Sequence, residues 1–151
     1  IKGTNDVYVG THKLSGMLFE HSFSGPTLSR SVGGIGINVN QTAFDPALPN
    51  PVSMALAAGR AFRREEVLDA FLAALRRRYA LLEGGEAGRL HRHYAERLYR
   101  LGEEHPFRHP DGSLFRATML GVRPTGELEL RHADGTTRAY LFREVEFVVK
   151  R

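Results

Sequence analysis

Between Arg64 and Leu101 apolar residues recur at steps of three and four, while on both sides of that stretch the period is two. Helical periodicity flanked by strand periodicity, with no regular alternation of the two, excludes an all-α bundle and a repeating βα fold and leaves an α+β chain. In the helical stretch, Leu68, Phe71, Leu72, Leu75, Tyr79 and Leu82 gather on one face of a helix from Arg64 to Leu82, which Gly84-Gly85 ends. A second helix is expected from about Glu86 to Leu101, with Leu90, Tyr94, Leu98 and Leu101 as its stripe and Gly102 as its stop. Both stripes are expected to pack on the preceding sheet.

Upstream, Asn5–Val9 and Lys13–Glu20 read as two strands joined at Gly10-Thr11, where a glycine at the first central position suits a type II′ hairpin. A third strand is expected from about Ser31 to Asn40, and the spacer Ser22–Ser29 carries the turn signal Ser24-Gly25-Pro26. Asp45-Pro46-Ala47-Leu48-Pro49-Asn50-Pro51 has too many prolines for a helix or a central strand and must be loop. Ser53 reads as the N-cap of a short helix, Met54 to Ala58, that Gly59 stops. From Glu103 onward, short alternating segments punctuated by Asp111-Gly112, Pro124-Thr125-Gly126 and Asp134-Gly135 suggest a small SH3-like barrel.

Composition narrows the chemistry. The chain has 151 residues and no cysteine, so thiolate catalysis, disulfides and cysteine-based zinc sites are excluded and a cytoplasmic home is permitted. No apolar run approaches the roughly 18 residues of a membrane span. The net charge of +4 arises mainly from arginine runs at 60–64, 76–78 and 89–100, interleaved with glutamates, which reads as solvated surface rather than a nucleic-acid interface. His91 and His93, two apart on a helix, diverge and make no metal pair, and His21, His105 and His109 read as structural or surface residues.

The polar strands carry glycines where a strand built only for a core would not, which points to a ligand or backbone in close approach. Taken singly, Asn5-Asp6 is a strand-entry cap, Lys13 a solvent-facing lysine, and Gly33-Gly34-Ile35-Gly36 lacks the strand-to-helix setting of a dinucleotide fingerprint. Their joint order and spacing say more. The run Lys2-Gly3-Thr4-Asn5-Asp6, then Lys13-Leu14-Ser15-Gly16-Met17-Leu18-Phe19-Glu20, then Gly34-Ile35-Gly36-Ile37-Asn38-Val39-Asn40 resembles the catalytic core of the biotin protein ligases. In that family the pattern is Lys-Trp-Pro-Asn-Asp, Lys-(Leu/Ile)-(Ala/Ser/Cys)-Gly-(Ile/Val)-Leu-(Ile/Val)-Glu and Gly-(Ile/Leu)-Gly-(Ile/Leu)-Asn-(Val/Ile)-Asn. Gly3-Thr4 stands where the family has Trp-Pro.

The resemblance implies an α+β class II synthetase-like core, incomplete here, with a mixed sheet packed by amphipathic helices and a small C-terminal SH3-like β-barrel. Residues 1–103 would be the C-terminal portion of the catalytic domain and 104–151 the SH3-like domain. It implies ATP-dependent activation of biotin to biotinyl-5′-AMP and transfer to a specific lysine of a biotin carboxyl carrier domain. Lys13 and Asp6 are then the catalytic candidates, and Lys2, Asn5, Gly16, Gly34, Gly36, Asn38 and Asn40 the nucleotide or biotinyl-AMP contacts. ATP and Mg²⁺ are the implied cofactors, with Asp6 a candidate Mg²⁺ ligand. Biotin and the carrier domain are the implied partners, together with a possible homodimer, and no membrane or nucleic-acid partner is expected. The family's Gly-Arg-Gly biotin loop precedes the Lys-Trp-Pro-Asn-Asp motif, so this chain alone is expected to be inactive. Three alternatives stay open: a degenerate, non-catalytic relative that binds nucleotide or carrier, a basic adaptor or nucleic-acid-binding module, and a lipoate ligase relative.

Overall fold

The computed structural model describes residues 1–2, 5–141 and 143–148. Two groups of internal contacts divide the chain within its long helix, residues 5–71 with Lys2 forming one and residues 72–148 with Ile1 the other.

The first group is built on a three-stranded antiparallel sheet in the order β1-β2-β3, with β1 Asp6–Val9, β2 His12–Ser24 and β3 Thr27–Ile37. The β1–β2 turn is the two residues Gly10-Thr11 between the paired Val9 and His12. Gly10 has φ 57° and Thr11 does not share a positive φ, as a type II′ turn requires. The second hairpin departs from the expected spacer. Strand pairing runs to Ser24 opposite Thr27, leaving only Gly25-Pro26 as the turn, with Gly25 at φ 59°. A two-residue turn lets both strands continue straight out of it, so Ser22–Ser24 and Thr27–Ser29 are strand, with one bulge at Ser22/Phe23. On that arm the ring of Phe19 lies across the strand over Gly33, where an added Cβ would stand 2.6 Å from the ring.

Ser53 caps α1, Met54–Ala58, by accepting a hydrogen bond from the Leu56 amide at 3.1 Å, and Gly59 closes it with φ 69°. Acidic Glu65 and Glu66 open α2, Arg64–Glu83, where they complement the helix dipole. Gly85, at φ 78°, ends it as the sequence requires. The expected packing of its stripe on the sheet does not occur. No residue of α2 is buried, and Leu68, Leu72, Leu75, Tyr79 and Leu82 are all exposed.

In the second group, α3 is shorter than its periodicity suggests, Ala87–Ala95. Beyond it the hydrogen bonds tighten to three-residue steps, from Arg97 to the Tyr94 carbonyl and from Leu98 to Ala95, and Arg100 then reverses the chain at φ 62°. The end of α3 packs forward, because Tyr94, Ala95 and Leu98 join the core of the sheet that follows. That sheet is antiparallel, in the order β7-β6-β5-β4-β8, with β4 Glu104–Arg108, β5 Leu114–Val122, β6 Leu128–His132, β7 Thr137–Tyr140 and β8 Glu146–Phe147. Parallel contact in either sheet is limited to isolated bridges at Lys13–Pro51 and Leu101–Met119. Two of its hairpins repeat one device. Asp111 Oδ1 accepts from the Ser113 amide at 2.8 Å and Oγ at 2.6 Å, and Asp134 Oδ1 accepts from the Thr136 amide at 2.9 Å and Oγ at 2.7 Å. These bonds to the ionised form hold both carboxyls below the usual range.

Phe107, Ala117, Met119 and Leu130 are buried at the centre, and Phe107 meets the rings of Phe147 at 4.7 Å and Phe115 at 5.6 Å. His105 is not a plain surface residue. It is half-buried with Nε2 2.9 Å from the Val148 carbonyl, and burial lowers its pKa below the ordinary imidazole value of 6.5. A depressed histidine pKa means the unfolded chain binds the extra proton first, so stability present above pH 6.5 is lost as the pH falls through that value towards the folded pKa. Chemical denaturation between pH 7.5 and about 5 should show this slope, and His105→Asn should flatten it. The arginine runs behave as solvated surface, with ion pairs between residues three apart such as Arg63–Glu66, Arg89–Glu86 and Arg100–Glu103.

Candidate functional site

The β1–β2 hairpin sets Asp6 opposite Gly16, and a register shift between Val7 and Tyr8 brings Lys13 opposite Tyr8. Lys13 Nζ and Asp6 Oδ1 form an ion pair at 2.8 Å. The pair sits over Gly16, because a Cβ built there would be 3.4 Å from Asp6 Oδ1, Lys13 Cε and Lys13 Nζ. An alanine at Gly16 would reach ordinary van der Waals contact with both charged groups, and a larger side chain would compete with them for the space.

The backbone of Lys13 is held from the other side by the end of the proline loop. Its amide donates to Asn50 O at 2.7 Å and its carbonyl accepts from the Val52 amide at 2.9 Å. The loop is closed at its base by Ser53, fully buried, whose Oγ donates to Gln41 O at 2.6 Å while capping α1. Asn38 Nδ2 adds a bond to Val52 O at 3.1 Å. The result is a cavity of about 410 Å³ lined by Lys13, Ser15, Gly16, Gly36 and Asn38 from the sheet side and by Gln41, Phe44, Leu48, Pro49 and Pro51 from the loop. It joins apolar walls to one cation, the combination a small anionic ligand with an apolar or aromatic body requires.

Of the residues singled out in the sequence, Lys13, Gly16, Gly36 and Asn38 line this cavity, and Asp6 joins it through Lys13. Lys2, Asn5, Gly34 and Asn40 are not among the lining residues. Lys2 Nζ lies 3.3 Å from the Tyr8 hydroxyl and 5.0 Å from the centre of its ring. Asn5 contributes its carbonyl to the Met17 amide at 2.8 Å. Asn40 uses both ends of its amide on one residue, donating to Phe62 O at 2.8 Å and accepting from the Phe62 amide at 3.0 Å. It therefore staples the end of β3 to the segment after α1 rather than facing the cavity. Losing both bonds in Asn40→Ala should lower unfolding free energy by about 2 kcal/mol, measured by denaturant titration. Gly3-Thr4, the departure from the family motif, lies outside the described residues. The loop residues Gln41, Phe44 and Leu48 escape sequence reasoning that treats the proline segment only as a connector, although apolar residues between prolines are themselves a sign of a packed, wall-forming loop.

Among the described residues no three His, Asp or Glu come together, and Asp6 Oδ1 is engaged by Lys13. His21 is likewise structural, with Nδ1 2.8 Å from Ser31 Oγ across the exposed strands.

No family model matches the chain. A biotin–[acetyl-CoA-carboxylase] ligase of Paracoccus denitrificans is 35% identical over 107 residues, covering 68% of this chain and 45% of that protein. The chain is a relative of the biotin protein ligases. Among solved structures, the apo biotin protein ligase of Aquifex aeolicus superposes with a TM-score of 0.77 at 22% identity, over 99% of this chain and 65% of that one. The Aquifex enzyme in complex with biotin and ATP gives 0.76 at 24% identity, over 99% of this chain and 62% of that one. At that identity the solved ligases establish the α+β fold for the whole described chain, and the Paracoccus relative supplies the kinship. The chain spans less than half the length of that curated ligase and under two thirds of the first two solved ones. No helix of the described residues is long and apolar enough to cross a membrane.

Proposed function

We propose that this chain carries the nucleotide side of a biotin protein ligase active site, residues 1–103 being part of the catalytic domain and 104–151 an SH3-like domain. The reading rests above all on one observation: Lys13, the one cation among the described residues that line the cavity, is fixed by its backbone to the proline loop and by its ammonium to Asp6. In the first step a biotin carboxylate oxygen attacks the α-phosphorus of ATP, the bond to the bridging oxygen breaks, and pyrophosphate leaves. Two anions must meet, and a cation placed where negative charge accumulates lowers that barrier. Lys13 meets this requirement, and Asp6 holds its ammonium in place.

The open surface at Gly36 admits the nucleotide close to the strands, beside the Lys13–Asp6 pair that lies over Gly16, and Asn38, whose Nδ2 is engaged by Val52 O, retains its carbonyl oxygen as an acceptor for an exocyclic amine. Asn40 supports the site by anchoring the loop base, and Lys2 adds positive charge beside Tyr8. Asp6 is the residue that would hold Mg²⁺, through the carboxylate oxygen that Lys13 does not engage, and the ion would supply positive charge for the ATP phosphates. In the second step the amine of a carrier-domain lysine attacks the acyl carbon and AMP leaves, with the amine proton passing to Asp6 or to water. Biotin and a carboxylase carrier domain are the partners, and the cysteine-free sequence suits a reducing cytoplasm. The experiment is biotin-dependent exchange of labelled pyrophosphate into ATP by the native protein that contains this chain; absence of exchange in a folded preparation would sink the reading.

A further inference from the structure

One buried hydroxyl ties the two ends of the cavity wall together. The proline loop runs from Gln41 to Ser53, and Ser53 has no solvent exposure. Its Oγ donates to the Gln41 carbonyl at 2.6 Å and accepts from the Leu56 amide at 3.1 Å, which joins the start of the loop to its end and to the first turn of α1. Neighbouring bonds run to the segment just past β3. The Met54 and Ala55 amides donate to the carbonyls of Asn38 and Val39, each at 2.9 Å, and Asn38 Nδ2 donates to Val52 O. All of these groups belong to residues 38–56, so the knot is complete within this chain whatever else the native protein packs around it.

Three prolines leave the loop short of donors. Pro46, Pro49 and Pro51 have no amide proton to give, and the bonds inside the loop gather on Asp45, which accepts from the Leu48 amide at 3.0 Å and, through Oδ1, from the Ala47 amide at 2.8 Å. The wall residues Phe44, Leu48, Pro49 and Pro51 are therefore placed by the knot at the base and by the bonds that Asn50 and Val52 make to Lys13.

We propose, on the reading of the cavity as the nucleotide site, that Ser53 is a positioning residue, whose hydroxyl keeps the wall in its ligand-competent path without touching the ligand. Lys13 is also paired with Tyr8 of β1, so loss of the knot leaves the cation in place while the wall loosens. A site that is competent in only a fraction of molecules binds more weakly by that fraction and turns over normally once filled. The effect therefore falls on KM rather than on kcat.

Steady-state pyrophosphate exchange and amide hydrogen exchange, both on the native protein that contains this chain, test this. Ser53→Ala should raise the KM for ATP about five- to tenfold, the worth of one hydrogen bond, and lower kcat less than about twofold. Ser53→Thr, which keeps a donor and an acceptor, should recover most of the loss. In Ser53→Ala the Lys13 and Val52 amides should exchange at least about tenfold faster, while the amides that join β2 to β3 keep their protection. If alanine leaves the protein unfolded, Ser53→Cys, of similar volume but a weaker donor and acceptor, should show the same split at smaller size. Unchanged protection at Lys13 and Val52, a loss confined to kcat, or protection lost in step across β2 and β3 would overturn the proposal. An unsubstituted protein without biotin-driven exchange overturns the nucleotide-site reading and with it the KM effect, and the amide data alone then decide whether Ser53 holds the loop.

Discussion

Lys13→Gln is expected to lower biotin-dependent ATP–pyrophosphate exchange by about 10²- to 10³-fold, the cost of removing one preorganised group that stabilises transition-state charge. The argument is geometric. Lys13 is bound through its amide to Asn50 and through its carbonyl to Val52, so the strand and the proline loop both fix its Cα. Its ammonium, 2.8 Å from Asp6, stands over a strand made bare by Gly16. Glutamine keeps the length and a donor but loses the charge, which separates electrostatic stabilisation from simple contact. The ion pair is substantially exposed, at 42% and 28% for the two side chains, so its loss should hardly change thermal stability. A melting temperature that falls together with activity would mean that Lys13 is structural.

The largest stability effect should come from Phe107→Ala, with a loss of about 3–5 kcal/mol. Phe107 has no solvent exposure and lies on β4 between β5 and β8, pairing with Phe115 on one side and Phe147 on the other. Alanine would leave a cavity bordered by both rings and by the core residues Met119 and Leu130, and a β-sheet held by ladder bonds on both sides can collapse into it only in part. Urea denaturation of the C-terminal residues should register the change. Phe107→Leu, which keeps most of the volume, should cost less than half as much.

Local rules carried much of the fold. Ser53 and Gly59 bound α1 as their capping chemistry dictates, Gly10 makes its turn, and the three glycine-bearing signals after residue 103 each join a pair of strands. What escaped was tertiary. Periodicity identifies the apolar faces of α2 and α3 but not their partners: α3 turns to the following sheet, and the α2 stripe faces solvent. The spacer Ser22–Ser29 reads as a connector because it carries the turn signal Ser24-Gly25-Pro26, yet an exposed two-stranded arm has no buried face to demand alternation.

The candidate site was legible in part for the same reason. Spacing along the strands brings Asp6, Lys13 and Gly16 together, since hairpin register follows from the turn. Asn38 and Asn40 carry the same residue type two positions apart, and only the structure separates a cavity-lining amide from one committed to Phe62. The cavity wall of Phe44, Leu48, Pro49 and Pro51 depends on a loop whose path no periodicity encodes, and which is set by Ser53, Gln41 and Lys13 backbone bonds.

Exchange of labelled pyrophosphate into ATP by the native protein, with biotin or lipoate as the driving acid, tests the central claim most directly. The account predicts exchange that requires biotin, is not supported by lipoate, and is lost with Lys13→Gln. Exchange driven by lipoate instead, or none with biotin in a protein whose spectrum shows it folded, would contradict it.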